Sequence, residues 1–294
     1  MAQTDRLYMG LVASTTPALV IGGLTNLSCP PGPQVIFPRS VGVDPEMAAV
    51  MASRPRMLMS SRHIATVLGS VGVSGLSITS NLIAYFQKQI AFGTRTTAAA
   101  ESVQFADAYL LPRRISASQD SLATIDLEAL ALSADGTDPV TLSDSATMPG
   151  TGAVSELYTI GPVSINATKY DLETGELDFG IGEEVDASDG FAYPTQMWIG
   201  SRNAQFRFAS KTAYALTNTG ISGEELTAFS WYLRKLEANK VRIADATAEH
   251  IKFTCTGYVH IDDLSGDPST KANTSVVVTP VAGVITISAA SAIT

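Results

Sequence analysis

The sequence predicts a mainly β protein: a sandwich or barrel-like body with one packed helix and extended arms. Three observations carry that prediction. Short runs alternate apolar and polar residues with a period of two, the spacing that turns one strand face to a core and the other to water. The composition is 45% hydrophobic but only 16% charged, which suits strands and tight turns better than helix bundles. Gly, Pro, Asn and Asp punctuate the runs at short intervals. A chain of 294 residues accommodates one such body with flanking segments, since all-β units run to roughly 200–250 residues.

Residues 1–60 read as an N-terminal arm. They are dense in Pro and Gly, as in Pro30-Pro31-Gly32-Pro33, yet carry the apolar segments Ala18 to Leu24 and Val35 to Phe37. A disordered linker is poorer in such residues. The arm therefore lies either on a neighbouring copy or as a lid over its own core. Asp44 as N-cap, Pro45 at the first helical position, and Met47, Val50 and Met51 beyond them predict a short helix.

The body spans residues 61–264. The run MLMSSRHIATVL before Gly69 alternates imperfectly, and Gly69, Gly72 and Gly75 mark a loop without the Gly-Lys-Ser/Thr ending of a phosphate-binding one. Leu76 to Phe92 reads as one or two strands, with a short helix over Leu82 to Ile90 as the alternative. Val103 to Leu111 and Ala123 to Leu132 follow. In the second, Ile125, Leu127 and Ala129 oppose Asp126, Glu128 and Leu130. The long segment 134–156 is turn-rich with almost no large apolar residue, and loops of that length are uncommon unless they bind something.

Gly161 to Ile199 is the stretch around which the rest is organised. Val163, Ile165 and Ala167 alternate with Ser164, Asn166 and Thr168, and Leu177, Phe179 and Ile181 alternate with Glu176, Asp178 and Gly180. With turn chemistry at Asp171 to Gly175, Asp189-Gly190 and Tyr193-Pro194, the pattern predicts an antiparallel meander packed on one side. Phe206 and Phe208 predict a half-buried strand over Gln205 to Ala209. Residues 222–240 predict the helix. Ser222 and Glu225 form a capping box, and Leu226, Phe229, Leu233 and Leu236 make a stripe. Glu224 and Glu225 open the segment while Lys235 and Lys240 close it, matching the helix dipole. His250 to Asp262 is the cleanest strand, with Ile251, Phe253, Cys255, Val259 and Ile261 on one face. Residues 265–294 read as a C-terminal strand or arm: a turn, then a hairpin or a strand added to a neighbour's sheet edge.

Chemistry is sparse. The 28 acidic residues against 19 basic ones, a net charge of −9, argue against gripping nucleic acid by phosphate neutralisation, though not against letting it slide past. Cys29 and Cys255 are too few for a disulfide framework and read as reduced structural thiols. No export signal is expected, and no run approaches the ~20 apolar residues of a membrane span. His63, His250 and His260 are scattered, the last two about 33 Å apart along one strand. Neither cysteine has metal-ligand spacing, and no Gly-x-Ser-x-Gly or His-Glu-x-x-His occurs. No catalytic residue, metal or cofactor is expected, and the acidic run Glu183 to Gly190, lacking calcium-loop spacing, reads as a solvated loop.

Ile165-Asn166-Ala167-Thr168, Asp178-Phe179-Gly180, Ser188-Asp189-Gly190 and Tyr193-Pro194-Thr195 occur in that order. Tyr85-Phe86-Gln87-Lys88 and Ile115-Ser116-Ala117-Ser118-Gln119 precede them. The series, from Leu76 to Ile261, resembles the tail tube (major tail) proteins of long-tailed bacteriophages. The resemblance implies a virion structural protein, assembled in the host cytoplasm, whose copies form stacked hexameric rings. Its partners would be itself, other tail proteins, and DNA passing through the lumen without specific binding; no membrane is involved. It further implies that segment 134–156 reaches the adjacent ring, with Asp135, Asp138, Thr141 and Asp144 as contact candidates. Asp126, Glu128, Glu176 and Asp178 become candidates for a lumen whose carboxylates repel phosphates, the alternative being that those faces meet outer solvent. Trp231 and Tyr232, partly off the helical stripe, are candidates for a subunit interface or for the core edge. Two rivals remain: the inner tube or another component of a contractile injection machine, and a carbohydrate-binding β-sandwich module. The latter needs exposed aromatics in a cleft, and the chain is only 7% aromatic.

Overall fold

A computed structural model describes residues 7–30, 32–36, 49–91, 94–150, 156–187, 190–210, 222–237, 241–267 and 270–294. In chain order come β1 (Leu7–Thr15), β2 (Ala18–Ile21), β3 (Leu24–Ser28), β4 (Pro33–Ile36), β5 (Ala49–Ser53), β6 (Arg56–Ser61) and helix α1 (Ile64–Val71). Then follow β7 (Leu76–Ile78), β8 (Leu82–Ala91), β9 (Thr94–Arg95), β10 (Ala100–Phe105), β11 (Asp107–Ser118), β12 (Ser121–Leu132) and β13 (Val140–Ala146). The next group is β14 (Tyr158–Ile165), β15 (Thr168–Tyr170), β16 (Thr174–Asp178), β17 (Ile181–Asp186), β18 (Gln196–Arg202) and β19 (Gln205–Ser210). The last is β20 (Ser222–Lys235), β21 (His250–Asp267), β22 (Thr270–Pro280) and β23 (Thr286–Ser291).

The described strands make two antiparallel sheets and two ribbons. The smaller sheet runs β13-β10-β8-β1-β2, with β9 beside β8. The larger runs β15-β14-β20-β21-β22-β19-β16-β11-β12-β6-β3, with β7 beside β11 and β23 beside β21. Ribbons β17-β18 and β4-β5 stand apart from both ladders.

One core joins the sheets. Val12, Ile21, Leu82 and Phe105 of the smaller sheet share it with Met57, Ile115, Ile125 and Leu177 of the larger, and all are buried. It holds an aromatic cluster: Phe206 lies 4.9 Å from Phe229 and Trp231 lies 5.3 Å from Phe253, centroid to centroid. Such pairs add roughly 0.5–1.5 kcal/mol each beyond their burial. Gly175 on β16 makes room for this packing, because a Cβ there would fall 2.9 Å from the Trp231 ring. The other face of the smaller sheet buries Leu11, Ala13, Tyr85 and Ala100 beneath Met148.

The alternation-based strands at 123–132, 205–209 and 250–262 all form, as β12, β19 and the longer β21. The helix expected at 222–240 does not: Ser222–Lys235 is strand β20, paired with β14 and with β21. Its decisive signal is Phe229, Trp231 and Leu233, buried at a period of two, a spacing that the helical stripe cut across. The capping box read at Ser222 and Glu225 therefore has no helix to begin, and Lys240 lies outside the described residues. A helix forms instead at Ile64–Val71, where Ile64, Val67, Leu68 and Val71 bury one face. Of the short helix expected around Asp44, residues 44–47 lie outside the described residues, and Val50 and Met51 belong to β5.

Residues 7–28 lie on the chain's own body. β1 sits between β8 and β2, and Leu11, Val12 and Ile21 are buried, which is the lid rather than the arm. The meander is cut and redistributed, since β14 and β16 are not neighbours. Asn166 and Ala167 take positive φ of 48° and 66°, forming the two-residue turn into β15, so Ala167 is not a strand residue. Gly180 at φ 55° ends β16 before Ile181. Val103 to Leu111 is broken at Ala106 into β10 and β11, and Leu82 to Ile90 is strand. The C-terminal segment is internal: β22 lies between β21 and β19, and β23 pairs with β21.

Candidate functional site

The antiparallel register lays out a polar face on the larger sheet. Ser60, Asp126, Arg114, Asp178 and Gln205 form one cross-strand row. Thr124, Ser116, Glu176 and Arg207 form the next. Three of the four predicted lumen carboxylates, Asp126, Glu176 and Asp178, are thus brought together on one face. They do not stand as bare acids. Arg114 reaches Asp126 at 3.1 Å and Glu176 at 3.8 Å, and Ser60 Oγ donates to Asp126 Oδ1 at 2.6 Å. Asp178 accepts the Gly180 N–H at 2.8 Å. Exposed pairs of this kind stabilise by about 0–1 kcal/mol, so they shape the surface potential more than the fold.

Glu128 departs from that face's exposure: it is buried, in a closed ring of two cations and two anions. Arg113 Nε donates to Glu128 Oε2 at 2.7 Å and Arg113 Nη2 to Glu183 Oε2 at 2.5 Å. Arg56 completes the ring, pairing with Glu128 and, at 3.1 Å, with Glu183. Arg113 Nη1 also donates to the Ile181 carbonyl at 2.5 Å. Burial raises the Glu183 carboxyl, but the hydrogen bond and charge of Arg113 outweigh it and hold the group below its ordinary value. Glu128 is therefore withdrawn from the candidate lumen.

A β-bulge makes the ring possible. The β11–β12 register shifts between Pro112 and Arg114, leaving Arg113 as the extra residue. Two consecutive arginines then serve one side, Arg114 toward Asp126 and Arg113 toward Glu128. Strict period-two reading misses this, although Pro112 inside a strand was an available hint. The ring fastens ribbon β17-β18 to β6, β11 and β12. It also engages the acidic run, whose Glu184 accepts the Trp198 Nε1–H at 2.8 Å; Ser188 and Asp189 lie outside the described residues.

Segment 134–156 is not all loop. Asp135 Oδ1 accepts from Ser133 Oγ, Thr137 N and Thr137 Oγ1, at 3.1, 3.1 and 2.7 Å. Asp138 Oδ1 accepts the Val140 N–H at 2.9 Å. Both are turn-forming aspartates. Thr141 and Asp144 are exposed on β13, the edge strand of the smaller sheet. At the segment's end Glu156 caps α1, accepting the Ala65 and Thr66 N–H groups at 2.9 and 3.0 Å.

Trp231 and Tyr232 are 0% and 1% exposed. Trp231 packs among the core aromatics, and Tyr232 lies beneath the C-terminus, its hydroxyl 3.5 Å from Thr294 Oγ1. Both belong to the protomer interior, which corrects their assignment to a subunit surface. His250 is buried and structural: Nδ1 accepts the Lys235 N–H and Nε2 donates to the Ala244 carbonyl, each at 3.1 Å. Burial pushes the Cys29 thiol up to about 11 and that of Cys255 up to about 12. Among the described residues no three His, Cys, Asp or Glu side chains cluster as metal ligands, and no helix is long and apolar enough to cross a membrane. No protein-family profile and no curated protein matches the chain.

Proposed function

We propose that this is a structural virion protein that self-assembles into stacked hexameric rings, forming a phage tail tube through which the genome passes. The reading rests on the sequence resemblance. The structural observation that carries it furthest is β13, an edge strand whose residues Thr141 to Ser145 are all exposed. Unpaired strand edges are a liability in a monomer and a joint in an assembly. Edges that meet around a ring are satisfied by closure, while loops lock ring to ring.

In this reading the polar face bearing Asp126, Glu176 and Asp178 turns to the lumen. Three carboxylates against Arg114 and Arg207 leave it weakly acidic, so phosphates gain little by displacing counterions and DNA slides without binding. Asp135, Asp138 and Asp144 lie on the segment proposed to meet the next ring, whereas Thr141 lies on the β13 edge that meets a neighbour around the ring; other tail proteins meet the tube's ends, and the assembled protein resides in the virion tail. An inner tube of a contractile injection machine would share this geometry and differ in carrying a sheath. A carbohydrate-binding module is favoured by the exposed aromatics Phe191, Trp198 and Tyr258, 37%, 46% and 48% accessible, and binding on a glycan array would support it. Sedimentation velocity over a concentration series tests the main reading. Species many times the 30.9 kDa protomer are expected, and a single monomer boundary throughout would count against it.

A further inference from the structure

We infer that β13 of one copy pairs in parallel with β2 of the next, so that the smaller sheet runs on from copy to copy. This rests on the ring reading above and names its junction. β13 and β2 end the path β13-β10-β8-β1-β2. Its four antiparallel steps give both end strands the same direction. A copy generated by rotation about a ring axis therefore offers its β2 to β13 in parallel. Two β13 strands meeting across a two-fold axis would instead be antiparallel, and growth would stop at a dimer. With the polar face of the larger sheet toward a lumen, the smaller sheet lies across the core from it, on the outer side.

Among the described residues the edge of β13 is open at one place. Ala106 N donates to the Pro139 carbonyl at 2.9 Å, and the ladder continues with Val140 opposite Phe105 and Leu142 opposite Val103. Antiparallel alternation then points the Thr141 peptide groups at β10 and those of Val140 and Leu142 outward. Asp138 takes the Val140 N–H at 2.9 Å, and Ser143 Oγ takes the Ser145 N–H at 3.4 Å. Between these self-capped ends Leu142 presents its peptide groups and a side chain that is 73% exposed. Residues 140–143 contain no Lys, Pro or charged residue to blunt the edge.

Charge and pleat choose the partner and the register. Asp138 and Asp144 flank this stretch with no base between them, so β13 against β13 would set like charges across the junction. β2 carries no charge. Through the ladders Leu142 shares a face with Val103, Ala84, Val12 and Ile21, while Thr141 shares the other with Gln104, Ile83, Ala13 and Val20. Parity admits Leu19 or Ile21 beside Leu142, and the junction takes the register that sets Ile21 beside Leu142 and Val20 beside Thr141.

Disulfide trapping of the full chain tests this. The double variant Val20→Cys/Thr141→Cys, mildly oxidised, should give a ladder of dimers, trimers and higher species on non-reducing gels. Neither single variant should exceed the wild-type background. Dimers from Thr141→Cys or Leu142→Cys alone would mean two-fold pairing and would overturn the inference. A monomeric double variant in a preparation that shows rings by microscopy would overturn it while leaving the ring reading intact; no ladder and no rings would remove both. Should the cysteine variants misfold by circular dichroism, Leu142→Pro is the second probe, since its lost N–H points outward. It should fold and fail to assemble, and normal rings would overturn the junction.

Discussion

Arg113 Nε donates to Glu128 Oε2 across 2.7 Å, and this contact exists because a bulge has turned Arg113 toward β12. The same guanidinium bridges to Glu183, so one side chain couples the larger sheet to ribbon β17-β18. Removing it leaves two carboxylates sharing Arg56. Arg113→Ala should therefore destabilise the protein by about 2–3 kcal/mol, less than the 3–5 of a fully buried pair because the ring is partly solvated. Urea denaturation reads the loss, and a midpoint unchanged from wild type would show the ring to be ornamental to stability.

The ring also sets a pH dependence. Although burial raises it, the Glu183 carboxyl is held net below its ordinary value of 4.5, so the folded state binds the proton less readily than the unfolded chain. The stabilisation is complete above the unfolded value and disappears as pH falls through the folded one. Urea midpoints should hold steady from pH 7 to 5 and drop below that, and Glu183→Gln should flatten the acid limb. An equally steep limb in the variant would assign it to other carboxylates.

Ala167 sits at φ 66° beside Asn166 at φ 48°. A left-handed alanine costs about 1–2 kcal/mol that glycine does not, partly offset by glycine's greater unfolded-state entropy. Ala167→Gly should raise stability by about 0.5 kcal/mol, against the trend of most substitutions. A lower melting temperature would contradict that turn geometry.

Glu156 caps α1 from 91 residues away in sequence. Glu156→Ala should cost about 1 kcal/mol, and amide exchange should quicken first at Ala65 and Thr66. Uniform acceleration across the protein would instead indicate a global effect.

How much was legible in the sequence follows from what alternation can encode. β19 and β21 have one wet face and one dry face, as does β12 up to Leu127 before both its faces are buried, and their strands could be read directly. β20 buries Tyr232 as well as Trp231, so two-sided burial blurred its period and a helical stripe fitted by coincidence. The spacing of Ile64, Val67, Leu68 and Val71 was present but masked by Ser and His before it. Of the candidate site, the polar-face positions of Asp126, Glu176 and Asp178 were legible because parity alone decides them, whereas the register that sets β12, β11 and β16 side by side was not. The withdrawal of Glu128 was not legible, because it depends on a bulge and on a ribbon folded back from fifty residues downstream.

The most direct test of the central claim is negative-stain electron microscopy of the purified protein over a range of concentrations. The account predicts rings of uniform diameter that stack into tubes as concentration rises, and that are lost when β13 is blocked by Leu142→Pro. Compact monomers at every concentration would contradict it.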